Sequence, residues 1–304
     1  MKKIFLTYNS LAGDASFTSR LHRFIDVFQR DYIIVMNDIV GIDLSRRLQE
    51  LNPEEYRYMM VAGGDGTVSN FVDALMQNDI ELPVGILPVG TSNDFASYLR
   101  LPDNFSQYYQ LLTDEKNIVP VDVGYINGRY FINVCACGFL TSVPYETPSD
   151  LKNIFGKVAY YLKGVQKLTE LKPLPLKIVG DSLEFSGELA LFLVLNSGRA
   201  GGFSDIVPEG CVSDGLFDFL AIKYGGVYEM FSALVDVFIN KDWKENEDVL
   251  YFSSDRFRIE TLDEADSLMS DIDGEEGPGL PLDIEVRNRA LPFIYNSEKI
   301  SISQ

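Results

Sequence analysis

Two glycine-rich segments carry the residue types that could handle a phosphate group. The first, Gly63-Gly64-Asp65-Gly66-Thr67-Val68-Ser69, continues the apolar run 58–61 and precedes a helical pattern at 71–76. A strand, a glycine loop and a helix in that order direct backbone N–H groups at one point, with no Cβ in the way of a phosphate. The segment therefore predicts a phosphate-binding loop. The G-x-G-x-x-G fingerprint fails at Ser69 and the chain contains no P-loop motif, so a glycine turn needed only for packing is the alternative.

The second segment, Gly90-Thr91-Ser92-Asn93-Asp94-Phe95-Ala96, follows the apolar run 84–87. Asn93 or Asp94 could simply cap the helix that comes next. In parallel sheets, however, ligands bind at the carboxyl ends of the strands, and two adjacent loops of this kind would line one crevice.

The sequence around these loops alternates between strand-like and helix-like patterns of apolar residues. Short apolar runs at 3–8, 32–36, 58–61 and 84–87 alternate with helical patterns at 17–29, 43–51 and 69–76, which predicts a parallel sheet covered by helices. From residue 124 onward, short alternating runs, among them 130–134, 183–185 and 189–195, are separated by turn residues and predict the strands of an antiparallel sandwich. We expect an α/β domain at 1–122, joined by the returning segment 292–304, and a β-rich domain at 123–291.

Composition excludes several classes of function. The 304 residues carry a formal charge of -19, which disfavours binding to nucleic acid. Three cysteines and one histidine without paired spacing make a zinc site improbable, so any metal should be oxygen-ligated, such as Mg²⁺. Cys135 and Cys137 fit buried thiols on one strand face, in a reducing cytoplasm. The longest apolar run, 189–195, is far too short to span a membrane.

Both glycine segments resemble the catalytic domain of the diacylglycerol kinases, most closely the soluble bacterial lipid kinases of that family. The first motif is shared with NAD kinases and 6-phosphofructokinases, whereas the second is more selective. Further similarities follow in chain order: Asn9 to Gly13, Asp122-Val123-Gly124, Gly201-Gly202-Phe203 through Pro208, Asp214-Gly215 and Asp273-Gly274-Glu275. Ser10 stands where the family has proline, and the threonine usual after the second strand is missing from 36–43.

The resemblance implies a two-domain, ATP-dependent lipid kinase whose active site lies in the interdomain cleft. It implies ATP contacts from residues Gly63 to Ser69 and from Asn9, Thr91 and Asn93. It implies a Mg²⁺ site formed by the carboxylate of Asp214 and the carbonyl oxygens of Cys211 and Leu216. The carboxylates expected to support the metal or the water network around it are Asp65, Asp94, Asp122 and Asp273.

The proton acceptor has two candidates. Glu275 matches the family's proton acceptor, while the aspartate of the glycine loop, Asp65, is associated with that role in the NAD kinases. We favour Glu275, because seven acidic residues and no basic residue lie between Asp263 and Glu276, and their mutual repulsion could raise a carboxylate pKa. A solvated acidic loop is the alternative for most of them.

The resemblance also implies a cytoplasmic protein that works at the inner membrane surface on a lipid, and it leaves a homodimer open. The stretch 151–172 has a local charge of +4 and one apolar helical stripe, which fits either a membrane contact or ordinary packing on the second domain. Two other functions remain as alternatives: an NAD-kinase-like enzyme acting on a soluble acceptor, and a nucleotide-binding regulatory module without turnover.

Overall fold

The first part of the chain folds as a parallel sheet covered by helices on both faces. The structure is a computed structural model that describes residues 2–10, 15–102, 104–138, 172–181, 183–263 and 268–301. Strands of the first part are β1 (Lys2–Tyr8), β2 (Tyr32–Asp38), β3 (Tyr56–Gly63) and β4 (Val84–Pro88). Helices of this part are α1 (Ala15–Phe28), α2 (Leu44–Gln49), α3 (Asp65–Gln77), α4 (Asp94–Tyr98) and α5 (Phe105–Thr113).

The four strands pair in the order β2-β1-β3-β4, all parallel. Alternate residues of β1 enter opposite cores: Phe5 packs with α3, while Ile4 and Leu6 pack with the α1 side. Because successive parallel strands end at the same edge, the loops after β3 and β4 lie side by side there.

The second part is built from antiparallel strands. They are β5 (Ile118–Ile126), β6 (Arg129–Phe131), β7 (Val134–Gly138), β8 (Leu174–Val179), β9 (Glu184–Leu195), β10 (Phe217–Lys223), β11 (Val249–Ser254), β12 (Arg256–Thr261), β13 (Met269–Ile272), β14 (Glu275–Gly279) and β15 (Leu282–Ile294). Strand β9 is central, since it pairs with β7, β8 and β10. Two further helices follow along the chain, α6 (Val227–Val235) and α7 (Ser297–Ser301).

Strand β15 connects the two parts of the molecule. It pairs antiparallel with β12 and β5, and near its end Phe293 pairs with Val84 of β4 in parallel. Leu291 and Phe293 are fully buried in the core that contains α3. The division of the chain at residues 122 and 292 stays a prediction.

Several local expectations are wrong. Helix α3 begins at Asp65 rather than Ser69, so most of the presumed glycine loop is the first turn of a helix. The expected strand at 130–134 is interrupted at Ile132 and Asn133, and the expected strands at 183–185 and 189–195 are one strand, β9. Sequence patterns gave no sign of α6, whereas Asp273-Gly274 was a candidate hairpin turn and does join β13 to β14.

The basic stretch 151–172, apart from Lys172, lies outside the described residues. Within the part of the chain that the structure describes, no helix combines the length and the apolar character needed to cross a membrane.

Candidate active site

The loops after β3 and β4 touch through their glycines. A Cβ placed on Gly90 would lie 2.5 Å from the Cα of Gly64, and one on Gly63 would lie 2.3 Å from the Cβ of Thr67. Such distances are too short for any side chain, so glycine is required at position 90 for the two backbones to meet and at position 63 for the side chain of Thr67 to pack there. The loops form one continuous backbone surface at the carboxyl edge of the sheet, as expected of a phosphate-binding crevice.

Asp65 stands at the first position of α3, at the edge of this surface. Its carboxylate accepts hydrogen bonds from the backbone N–H groups of Asp94 and Phe95, so it connects α3 to the start of α4. Burial, followed by the nearby charges of Asp94 and Asp273, raises the pKa of Asp65 to about 6 from 3.8. Among the candidate carboxylates, Asp65 therefore has a pKa displaced toward neutrality, which is typical of functional sites.

Two other predicted carboxylates, Asp94 and Asp122, bind backbone N–H groups of distant segments. Asp94 accepts from the Gly202 N–H with both oxygens, at 3.1 and 3.0 Å. Asp122 accepts from the N–H groups of Gly215 (2.7 Å) and Arg289 (2.6 Å). Burial is the main cause that raises the pKa of each of these two groups. Both carboxylates therefore join segments that are distant in sequence.

Asp273 is fully engaged in a structural contact. Its two oxygens accept from the backbone N–H groups of Ile132 (2.9 Å), Asn133 (3.0 Å) and Val134 (2.8 Å). Burial raises its pKa, and the hydroxyl of buried Ser69 lies against it. Asp273 therefore anchors the β13–β14 hairpin, and its expected part in supporting the metal or the water network around it stays a prediction.

Glu275 is presented to α3 by that hairpin. Asp273 and Gly274 both have positive φ, 52° and 87°, which is the geometry of a two-residue hairpin turn, and Ile272 pairs with Glu275 across it. The Oε1 atom of Glu275 lies 2.8 Å from the position that a Cβ on Gly66 would occupy. The second part of the molecule thus places a carboxylate over the first turn of α3.

The side chain of Glu275 is held by two residues. The Nδ2 atom of Asn70 donates to Oε1 at 2.9 Å and to Oε2 at 3.0 Å, and the Nη2 atom of Arg129 donates to Oε2 at 3.2 Å. In the acidic run 263–276, a strong pKa shift falls on Asp271, where burial raises the pKa to about 6. The main cause is burial, and charge repulsion from Asp273 and Glu275 adds less.

The predicted Mg²⁺ residues lie on the loop before β10. Asp214 is exposed, with Oδ1 accepting from the Leu216 N–H at 3.0 Å. Hydrogen bonds fix the loop on both sides of Cys211, because the carbonyl oxygens of Gly210 and Val212 accept from the Tyr98 hydroxyl (2.9 Å) and the Asp122 N–H (2.7 Å). The described residues contain no cluster of three His, Cys, Asp or Glu side chains suited to a metal. One carboxylate with backbone carbonyls is nevertheless an oxygen donor set compatible with Mg²⁺.

The remaining predicted nucleotide residues differ in exposure. Thr91 is exposed in the loop after β4, Asn9 is partly buried just beyond β1, and Val68 is buried in the core. Asn93 has φ 49° and closes its own loop, since its side chain accepts from Gly90 N–H at 2.9 Å and donates to Gly90 O at 2.7 Å. The structure brings Thr91 to the crevice, while the polar atoms of Asn93 are used within the loop.

Sequence reasoning missed three residues of this site. Asn70 lies four residues after Gly66 and therefore on the same face of α3, a signal that was available. Arg129 and Arg199 gave no signal, because each depends on a long-range contact. The charge of Arg199 lies near enough to Asp94 to oppose part of the rise in pKa that burial causes there. No partner for the buried Nε of Arg199 is found among the described residues.

Cys135 and Cys137 are buried, as expected from the strand pattern. Both lie in the core of the second part as free thiols, and burial raises the pKa of Cys137 to about 11. Buried thiols of this kind pack in the core and do not act as reactive thiolates.

Comparison with known proteins agrees with this geometry. Residues 3–126 match the family model of the diacylglycerol kinase catalytic domain, and residues 141–295 match that of the YegS C-terminal NAD kinase beta sandwich-like domain. The predicted fold class, an α/β part followed by a β-rich sandwich, is therefore confirmed.

Similar proteins cover nearly the whole chain. A diacylglycerol kinase of Bacillus subtilis (strain 168) is 29% identical over 306 residues, with 98% of each chain covered. One of Staphylococcus haemolyticus is 33% identical over 249 residues, 80% of this chain and 74% of the relative. The crystal structure of a diacylglycerol kinase from Bacillus anthracis str. Sterne superimposes with a TM-score of 0.76 at 28% identity, over 98% of each chain. The family recognised from the motifs is confirmed: the chain belongs to the diacylglycerol kinase family of lipid kinases.

Proposed function

We propose that this protein transfers the γ-phosphoryl group of ATP to the hydroxyl of diacylglycerol, which yields phosphatidic acid. Membership of a kinase family implies ATP as the donor. The acceptor is taken from the named activity of the relatives. One observation carries the proposal: the carboxylate of Glu275, delivered by the β13–β14 hairpin, lies directly over the first turn of α3 at Gly66.

The residues of the crevice have complementary roles in this reaction. The glycine surface of Gly63, Gly64 and Gly90 and the N–H groups at the start of α3 face the phosphates of ATP. The lipid hydroxyl oxygen attacks the γ-phosphorus while the bond from that phosphorus to the β,γ-bridging oxygen breaks, and ADP leaves with that oxygen. The hydroxyl proton goes to the side chain of Glu275.

Mg²⁺ would be held by the carboxylate of Asp214 and the carbonyl oxygens of Cys211 and Leu216. When bound, it supplies positive charge that offsets the charge of the phosphates. Asp94 and Asp122, whose oxygens receive backbone N–H groups, keep the loops of the two parts of the molecule in register around this position.

We place the reaction at the inner membrane surface, reached from the cytoplasm, because the proposed acceptor resides in a bilayer. The basic stretch 151–172 is the candidate contact, and a homodimer is compatible with the proposal. We also propose that residues 1–122 with 292–304 bind the nucleotide and that residues 123–291 bind the lipid.

A transfer assay separates the proposed function from its alternatives. The protein is incubated with Mg²⁺ and γ-labelled ATP, and with diacylglycerol in neutral detergent micelles, other lipids with free hydroxyls, or NAD. Label in phosphatidic acid is the expected result. Label in NADP would identify the NAD-kinase-like alternative, and ATP binding without transfer to any acceptor would identify a regulatory module.

A further inference from the structure

We infer that Arg129 and Asn70 are positioning residues that fix the carboxylate of Glu275 and leave Oε1 as the oxygen that receives the proton. This inference rests on the proposed function, in which Glu275 is the proton acceptor. It concerns two side chains that the glycine and acidic motifs do not include.

Arg129 makes several contacts from the single strand β6. Its Nη2 atom donates to Glu275 Oε2 and to Asn70 Oδ1, both at 3.2 Å, and its Nη1 atom donates to the backbone carbonyl of Glu276 at 3.2 Å. The planar guanidinium thereby contacts the side chain of Glu275, the backbone of Glu276 and the side-chain amide of Asn70, which itself binds Glu275. A lysine, with one point-like ammonium group, has no equivalent geometry.

The two oxygens of Glu275 are not equivalent. Oε2 accepts from both Asn70 and Arg129, whereas Oε1 accepts from Asn70 alone and faces the open position above Gly66. Oε1 therefore keeps acceptor capacity on the side of the phosphate crevice, and Oε2 is occupied by the positioning contacts.

One face of helix α3 makes the contacts with the second part of the molecule. Gly66, Asn70, Asp73 and Gln77 are spaced by four, three and four residues and so form one face of the helix. Asp73 accepts from the Tyr130 N–H at 2.8 Å, and Gln77 donates to the Gly128 carbonyl at 2.8 Å. One face of α3 therefore binds the β5–β6 hairpin through Asp73 and Gln77, binds Glu275 through Asn70, and leaves space for Glu275 at Gly66.

The contacts contribute more to geometry than to stability. The side chains of Arg129 and Glu275 are 26% and 41% exposed. A partly exposed ion pair of this kind contributes little to the stability of a protein. Replacement of Arg129 should therefore disturb the reaction without unfolding the protein, which separates positioning from a merely structural role.

The test is a double-mutant cycle on kcat with diacylglycerol micelles, using Arg129→Met, Arg129→Lys, Glu275→Gln and the combination of Arg129→Met with Glu275→Gln. We expect Arg129→Met to lower kcat by about 10- to 100-fold, the range for a catalytic group displaced by up to about 1 Å. The KM for ATP and the thermal midpoint should be nearly unchanged. Arg129→Lys should recover only part of the loss. In the Glu275→Gln background, Arg129→Met should have almost no further effect, because no base remains to be positioned.

Arg57→Met provides a matched control. Arg57 forms a comparable partly exposed ion pair with Glu115, at 2.6 Å, at the opposite end of β3 from the crevice, and its loss should leave kcat unchanged. Asn70→Ala should give the same non-additive pattern as Arg129→Met. A loss of kcat that is equally large with and without Glu275 would overturn the inference and leave the proposed function intact. Wild-type turnover by Glu275→Gln would overturn the base assignment itself and the inference with it.

Discussion

Gly66→Ala is a sharp perturbation, because it adds one methyl group beneath the proposed base. The new Cβ would lie 2.8 Å from Oε1, 3.2 Å from Cγ and 3.3 Å from Cδ of Glu275. Ordinary contact begins near 3.4 Å, so the carboxylate must retreat by 3.4 − 2.8 = 0.6 Å. That movement strains the Asn70 hydrogen bonds of 2.9 and 3.0 Å, and displacements approaching 1 Å lower catalysis by up to about 100-fold. We therefore expect kcat to fall by about 10- to 100-fold.

The same change should not destabilise the protein. Gly66 lies in a helix without positive φ, where alanine is favoured over glycine by up to about 1 kcal/mol. The assay compares kcat, the KM for ATP and the thermal midpoint of Gly66→Ala with those of Gly225→Ala, whose added Cβ would meet nothing within 4 Å. Unchanged kcat in Gly66→Ala would refute the reasoning. A raised KM for ATP at normal kcat would show that the space over Gly66 serves the phosphates rather than the base.

Three further variants probe the surrounding carboxylates. Burial raises the pKa of Asp65 from 3.8 to about 6, so the folded protein retains a proton that the unfolded chain has released, and stability falls as pH rises through that window. Asp65→Asn should therefore raise the free energy of unfolding by up to about 3 kcal/mol at neutral pH and have little effect near pH 4; denaturant unfolding with equal effects at both pH values would contradict this. Asp273→Ala leaves three buried N–H groups without their acceptor and should lower the free energy of unfolding by about 3 kcal/mol or more. Calorimetry compares this variant with Asp214→Ala, a change at an exposed site, and equal stability of the two variants would contradict the expectation. Asp214→Ala should shift the Mg²⁺ dependence of activity to higher concentration, and an unchanged Mg²⁺ titration would remove Asp214 from the metal site.

The sequence was sufficient for the fold class and for the expectation that the loops after β3 and β4 lie side by side. The parallel strands could be predicted because β1, β3 and β4 are short apolar runs next to helical patterns, and because glycine-rich segments mark the ends of β3 and β4. The start of α3 was misplaced because Gly66 is a poor helix former in isolation, whereas in the folded chain it makes room for Glu275.

The contacts of the carboxylates could not be read from the sequence. Asp273 and Ile132 are 141 residues apart, and Asn70 and Glu275 are 205 residues apart. No local period records such pairs. Asp94, Asp122 and Asp273, which the resemblance places near the metal or the water network around it, accept backbone N–H groups from distant segments. Composition cannot distinguish a carboxylate that binds a cation from one that anchors a loop.

The central claim is that Glu275, and not Asp65, accepts the proton of the lipid hydroxyl. The direct measurement is the kcat of Glu275→Gln on diacylglycerol micelles, together with the ATP affinity of Asp65→Asn. Glu275→Gln keeps the shape of the side chain, so we predict that kcat falls by about 10²- to 10⁴-fold with ATP affinity little changed, while Asp65→Asn weakens nucleotide binding. Near wild-type turnover by Glu275→Gln, combined with normal ATP binding and no turnover by Asp65→Asn, would contradict the account and identify Asp65 as the base.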